Sequence, residues 1–146
     1  LRVKPLLEPP ANRSVTAPQS LDTLDALSPE LISRLEAERV YSVGDLLRVS
    51  RNAAGRKALD ELGVPDVSAL RGRAEVVALP TVPNRVGESL VRVGIAEPRD
   101  FVAADPALLA EQLTAELGES LDAKAVLAWQ QRTRPLVMLT EGATPE

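Results

Sequence analysis

The sequence predicts an all-α protein made of two copies of one small helical unit, packed as a single compact domain behind an extended N-terminal arm. Three observations carry this. First, the chain repeats itself. Shifting residues 24–47 by 55 positions lays Leu24 on Leu79, Leu27 on Val82, Leu31 on Val86, Leu35 on Leu90, Val40 on Ile95 and Asp45 on Asp100. Self-similarity at a fixed period is the signature of stacked equivalent units. Second, the apolar residues of each copy recur at three- and four-residue steps, which return to one side of a helix. Third, aromatic residues make up 2% of the chain and hydrophobic residues 45%. The core is therefore aliphatic, whereas sheet proteins usually draw on aromatic side chains as well.

Residues 1–20 read as the arm. Pro5, Pro9, Pro10 and Pro18 break any helical period. Val3, Leu6 and Leu7 give the arm apolar content, so it is either a linker or a strand-like arm that docks on a partner. The first unit spans about 21–78 and the second about 79–135. In the first, Ser28 caps a helix that carries Pro29 in its opening turn, and Pro83 plays a similar part in the second. A turn follows, then Val40 or Ile95 plugs the core. A short helix then begins near Asp45 or Asp100, where a carboxylate suits the helix dipole. Residues 52–62 form a helix capped by Asn52, with Ala58, Leu59 and Leu62 inward and Gly63 as its stop. Asp66 caps the next, in which Val67, Leu70, Ala74 and Val77 share a face. Gly72 inside it marks a break or a close contact, because glycine there costs about 1 kcal/mol against alanine.

In the second unit, Asp105 and Pro106 open an amphipathic helix of Leu108, Leu109, Gln112, Leu113 and Leu117, ended by Gly118. Ser120 caps the last helix, with Leu121, Ala125, Ala128 and Trp129 along one face and Pro135 at its end. Residues 136–146 form a tail whose apolar start is Leu136, Val137, Met138 and Leu139. Trp129 is expected to anchor the core of the second unit, with a partner-facing role as the alternative. Tyr41 and Phe101 read as core or rim residues of their units.

The unit resembles a helix-hairpin-helix module. More closely, Asp45 with Leu46 and Leu47, then residues 54–59 and 62–64, resemble the tandem helix-hairpin-helix domain of unknown function DUF4332, over roughly residues 21–135. In such modules a Gly-hydrophobic-Gly turn grips a nucleic-acid phosphate through its backbone amides. Here those turns read Ala26, Leu27, Ser28 and Thr81, Val82, Pro83, without a glycine. Glycine lets the backbone reach positive φ and approach a ligand, and proline has no N–H to donate. The departure leaves the fold intact and takes away the phosphate grip. The Ser28 and Thr81 hydroxyls are at best weak substitutes.

The chain holds no histidine and no cysteine, which removes the commonest general base, the thiolate nucleophile and the soft metal ligands. The nearest carboxylate pairs, Asp22 with Asp25 and Glu36 with Glu38, fall on helix or cap surfaces. No phosphate-loop, dinucleotide or calcium-loop motif is present. The expectation is a non-catalytic protein without cofactor or metal. The net charge of −4 argues against a nucleic-acid binder. Charge is uneven, with nine Arg/Lys against seven Asp/Glu over residues 45–99 and three against eight over 100–146. Arg48, Arg51, Arg56, Lys57, Arg71 and Arg73 are thus the nucleic-acid candidates, or else a solvated face balanced by Asp60, Glu61 and Glu75. No interleaved aromatic set is present for stacking on bases.

The leading expectation is a protein-interaction or scaffold module, a component of a larger assembly, with Val3, Leu6, Leu7, Leu136, Val137 and Met138 as docking residues. A non-specific binder of the DNA or RNA backbone is the alternative. No apolar stretch approaches the roughly 20 residues that cross a bilayer. The Arg-over-Lys, Ala- and Val-rich composition suggests a bacterial cytoplasmic protein. Leu1 in place of Met fits a processed or partial chain.

Overall fold

The computed structural model describes residues 19–143, with side chains as far as Met138. A short 3-10 turn, Leu21–Thr23, precedes eight helices: α1 Pro29–Ala37, α2 Val43–Val49, α3 Ala53–Glu61, α4 Val67–Val77, α5 Asn84–Arg92, α6 Pro98–Ala103, α7 Pro106–Leu117 and α8 Ala123–Ala143. The starts of α1 and α5, and of α2 and α6, lie 55 residues apart; those of α3 and α7 lie 53 apart, and those of α4 and α8 lie 56 apart. The repeat read in the sequence therefore extends over four helices on four. Among the described residues there is no strand, only an isolated antiparallel bridge between Ser20 and Ser42.

The helix starts follow from side chains that accept orphan amide protons. The Ser28 hydroxyl accepts from the Leu31 amide at 3.1 Å, Asn52 Oδ1 from Gly55 at 2.9 Å and Asp66 Oδ1 from Ala69 at 3.2 Å. Asp105 Oδ1 accepts from Ala107 at 3.0 Å. Two expected starts are corrected. Pro83 stands at the cap position itself, with no side-chain cap, and its carbonyl accepts from Val86 and Gly87. Asp122, not Ser120, caps α8, its carboxylate accepting from the Ala125 amide at 3.0 Å. A carboxylate one residue before the helix outcompetes a hydroxyl three residues before it, because only the nearer oxygen reaches the free amides.

Two aliphatic cores result. One gathers Leu24, Leu31, Leu35, Leu46, Leu59, Leu70 and Val77; the other gathers Val76, Val86, Leu90, Phe101, Leu109, Leu113 and Val126. α4 is the wall between them: Val77 faces the first core and the neighbouring Val76 the second. Val91 packs against both. Some expected inward positions are not inward. Ala58 and Gln112 are exposed, and Leu108 is 54% exposed. Leu59, Leu109 and Leu113 take those places, since each helix touches the core along one narrow stripe. Trp129 is half-buried and packs on the second core as expected, Phe101 is fully buried, and Tyr41 is 60% exposed.

Leu70, Ala74 and Val77 of α4 correspond, 56 residues on, to Val126, Gln130 and Thr133 of α8, and all six are buried. The α8 face is thus partly polar, and its polar atoms are used. Gln130 Nε2 donates to the Phe101 carbonyl at 2.9 Å and to the Ala104 carbonyl at 2.8 Å, closing the C-terminal end of α6. Replacing Gln130 with leucine keeps the volume, takes this donor from the Ala104 carbonyl and leaves the Phe101 carbonyl only the long bond from the Ala104 amide at 3.3 Å. A loss of about 2 kcal/mol is expected, read as a lower urea midpoint at unchanged m-value.

Gly72 meets the close-contact expectation: a Cβ there would lie 2.7 Å from the Ala96 carbonyl oxygen. α4 therefore runs against the stretch that leads into α6.

Pro135 does not end the last helix. It lies inside α8, which continues to Ala143, so Leu136, Val137 and Met138 are helical rather than a tail. An interior proline removes one backbone bond and costs about 3 kcal/mol. What offsets it here is packing that local sequence does not reveal: Val137 is half-buried beside Leu79 and Pro98.

Candidate functional site

The most distinct concave feature lies where the units meet. It is a groove of about 380 Å³ lined by Leu47 of α2, Glu75 and Ala78 at the end of α4, Leu79 and Pro80 after it, Glu97, Pro98 and Arg99 at the start of α6, and Leu136 and Val137 of α8. The close approach at Gly72 creates it, bringing the end of α4 beside the start of α6. Pro80 and Pro98 stiffen two of its borders, because proline fixes φ.

Its charged members are not equivalent. Glu75 pairs with Arg71 at 3.3 Å within α4. Burial raises the Glu75 carboxyl above the usual range, Arg71 opposes this, and the nearby Glu97 adds to it. A folded-state value above the unfolded one means that the folded protein holds this proton more tightly. Stability then falls as pH rises through the folded value and is regained on acidification towards 4.5. Glu75→Gln is therefore expected to stabilise slightly at pH 7, by less than about 1 kcal/mol after solvent screening and loss of the Arg71 pair, and to flatten the acid side of a melting-temperature profile. Asp45 works in the opposite sense. The Tyr41 amide donates to it at 2.9 Å, and this bond, with Arg48 beside it, lowers its carboxyl below 3.8 despite some desolvation. Its contribution is present above 3.8 and is lost as pH falls through the lower folded value.

The expected docking residues divide. Val3, Leu6 and Leu7 lie outside the described residues. Leu136 and Val137 line the groove, and Met138, 63% exposed, sits on α8 beside a shallower depression with Gln131, Arg134 and Pro135.

The hairpin turns close on themselves. Leu27 and Val82 are buried at their centres, whereas Ala26 and Ser28 are exposed. The Leu27 amide donates to the Leu24 carbonyl at 3.0 Å. The Ser28 hydroxyl is engaged as the α1 cap. Thr133 Oγ1 donates to the Trp129 carbonyl at 2.8 Å, so Thr81 Oγ1 is the donor in the 2.7 Å bond between the two threonine hydroxyls. The Thr81 proton is thereby used within the fold, while the exposed Ser28 hydroxyl, an acceptor in its cap, keeps its own proton.

The six basic candidates are not brought together as one set. Arg71 donates to the Leu47 carbonyl at 3.0 Å and to Ser50 Oγ at 2.6 Å. Arg56 donates to the Ser50 and Arg51 carbonyls at 3.0 and 3.2 Å. Both guanidinium groups thus close the C-terminal end of α2, the task that Gln130 performs for α6. Arg48 pairs with Asp45. The side chains of Arg51, Lys57 and Arg73 make no ion pair among the described residues.

Among the described residues no cluster of three or more acidic, histidine or cysteine side chains could hold a metal, and no helix is long and apolar enough to cross a membrane. Sequence reasoning missed Leu47, Ala78, Leu79, Pro80 and Pro98 as site residues. The usable signal was the pair of prolines, Pro80 just past the border between the units and Pro98 at the start of α6.

No protein-family model matches the chain, and no curated protein or solved structure is detectably similar to it.

Proposed function

We propose that this protein is a non-catalytic protein-interaction module on a degenerate helix-hairpin-helix frame of the DUF4332 type. The observation that carries this reading is the contrast between the turns and the groove. The Ser28 hydroxyl oxygen, the Thr81 hydroxyl and the Leu27 amide are engaged within the fold, the turns hold no glycine, and Pro83 has no N–H. The groove, by contrast, offers an open and mostly apolar lining with three charged residues. Such a surface suits an extended apolar segment of another protein, whose anchors fill pockets while polar groups at the edge set orientation.

The test uses the full chain as bait in extract from its source cells. A partner retained by the natural chain, lost with Leu136→Asp and kept with Arg51→Glu plus Lys57→Glu places the interaction on the groove. The rival is read in parallel with labelled duplex and single-stranded DNA. Binding that falls steeply with salt and is lost with Arg51→Glu plus Lys57→Glu overturns the protein-interaction reading in favour of a nucleic-acid backbone binder.

A further inference from the structure

The groove has a candidate occupant within the chain itself. Gln19 is pinned close by: its Nε2 donates to the Val77 carbonyl at 2.8 Å, and its carbonyl accepts from the Val43 amide at 2.9 Å. Ala78 and Leu79, the next residues after Val77, line the groove. The preceding segment therefore starts at the groove's edge. The 11 residues between Leu7 and Gln19 let the chain span up to about 40 Å when extended.

The chemistry matches as well. The first seven residues hold apolar Val3, Leu6 and Leu7 together with basic Arg2 and Lys4. The groove offers Leu47, Leu79 and Val137 as an apolar lining, beside Glu75 and Glu97, which pair with Arg71 and Arg99. Pro5, Pro9 and Pro10 restrict the segment before it docks, which lowers the entropy lost on ordering. Tethering adds an effective concentration on the order of millimolar, so weak intrinsic affinity is enough for occupancy.

We infer that residues 2–7 are the resident ligand of this groove, bound in cis, with the leucines and Val3 on its apolar lining. An external partner would then have to displace the chain's own arm. This goes beyond the interaction reading, and either can fail alone.

The chain has no cysteine, so a single nitroxide can be placed on the full protein through Ala11→Cys. The expected result is paramagnetic broadening concentrated on the amides of Leu47, Ala78, Leu79 and Val137. It should be lost when Leu6→Ser and Leu7→Ser are added, and lost again with Leu136→Glu. Even broadening over the surface, or broadening away from these amides, overturns the inference. So does persistence in the leucine variants. Mixing isotope-labelled protein without nitroxide with unlabelled protein that carries it should give no groove broadening. If broadening appears there, the occupant is a second copy and the cis assignment is wrong. None of these readouts depends on whether a partner is captured.

Discussion

Phe101→Ala is expected to lower stability by about 4 kcal/mol, the usual cost of truncating a buried aromatic side chain. At roughly 3 °C per kcal/mol for a chain of this size, the melting temperature should fall by about 12 °C. Phe101 is fully buried. It sits 55 positions after Leu46, the equivalent core residue of the first unit, and supplies the bulk that fills the space between α6 and its neighbours. The adjoining backbone offers little room to collapse. The Phe101 carbonyl is held by Gln130, and α6 is only six residues long. Because α4 contributes Val76 to one core and Val77 to the other, both units should melt in one transition. Two separated transitions in calorimetry would show that the cores are not coupled through α4.

Gly87→Ala is expected to cost about 3 kcal/mol by overpacking. Gly87 is buried in α5, and a Cβ would come 2.5 Å from the Val77 carbonyl oxygen and 2.9 Å from that of Val76. Both obstacles are backbone, so no side chain can swing aside. Alanine normally gains about 1 kcal/mol over glycine inside a helix. A destabilising outcome would therefore mean that close packing outweighs propensity by several-fold. The measurement is a denaturant titration followed by helix circular dichroism. A variant as stable as the natural chain would place α4 and α5 farther apart than described here.

The two glycine-bearing crossings show what periodicity can and cannot give. Gly72 could be singled out from the sequence, because a glycine inside a helical run is costly and asks for a reason. Gly87 lies between Val86 and Leu90 of a predicted helix and carries the same sign, but how much a missing side chain matters depends on what lies across from it. The basic residues make the same point. Arg56 and Arg71 looked like a surface charge set, yet both donate to main-chain carbonyls at the end of α2: those that Arg56 meets lie five and six residues before it, whereas Arg71 reaches Leu47, 24 residues away, a pairing that no spacing along the chain encodes. The groove was half legible. Leu136 and Val137 were marked as an apolar surface, but the residues opposite them come from three other elements.

By itself the sequence determined the helical class, the 55-residue repeat and most helix starts, because apolar spacing and caps act over a few residues. Only the tertiary structure decided that α8 runs through Pro135, that Thr81 of the second turn is tied to Thr133 of α8, and that a groove opens between the units. Each of these rests on contacts between residues distant in sequence. At such places the free energy of packing exceeds local preference, and the local signal points the wrong way or is silent.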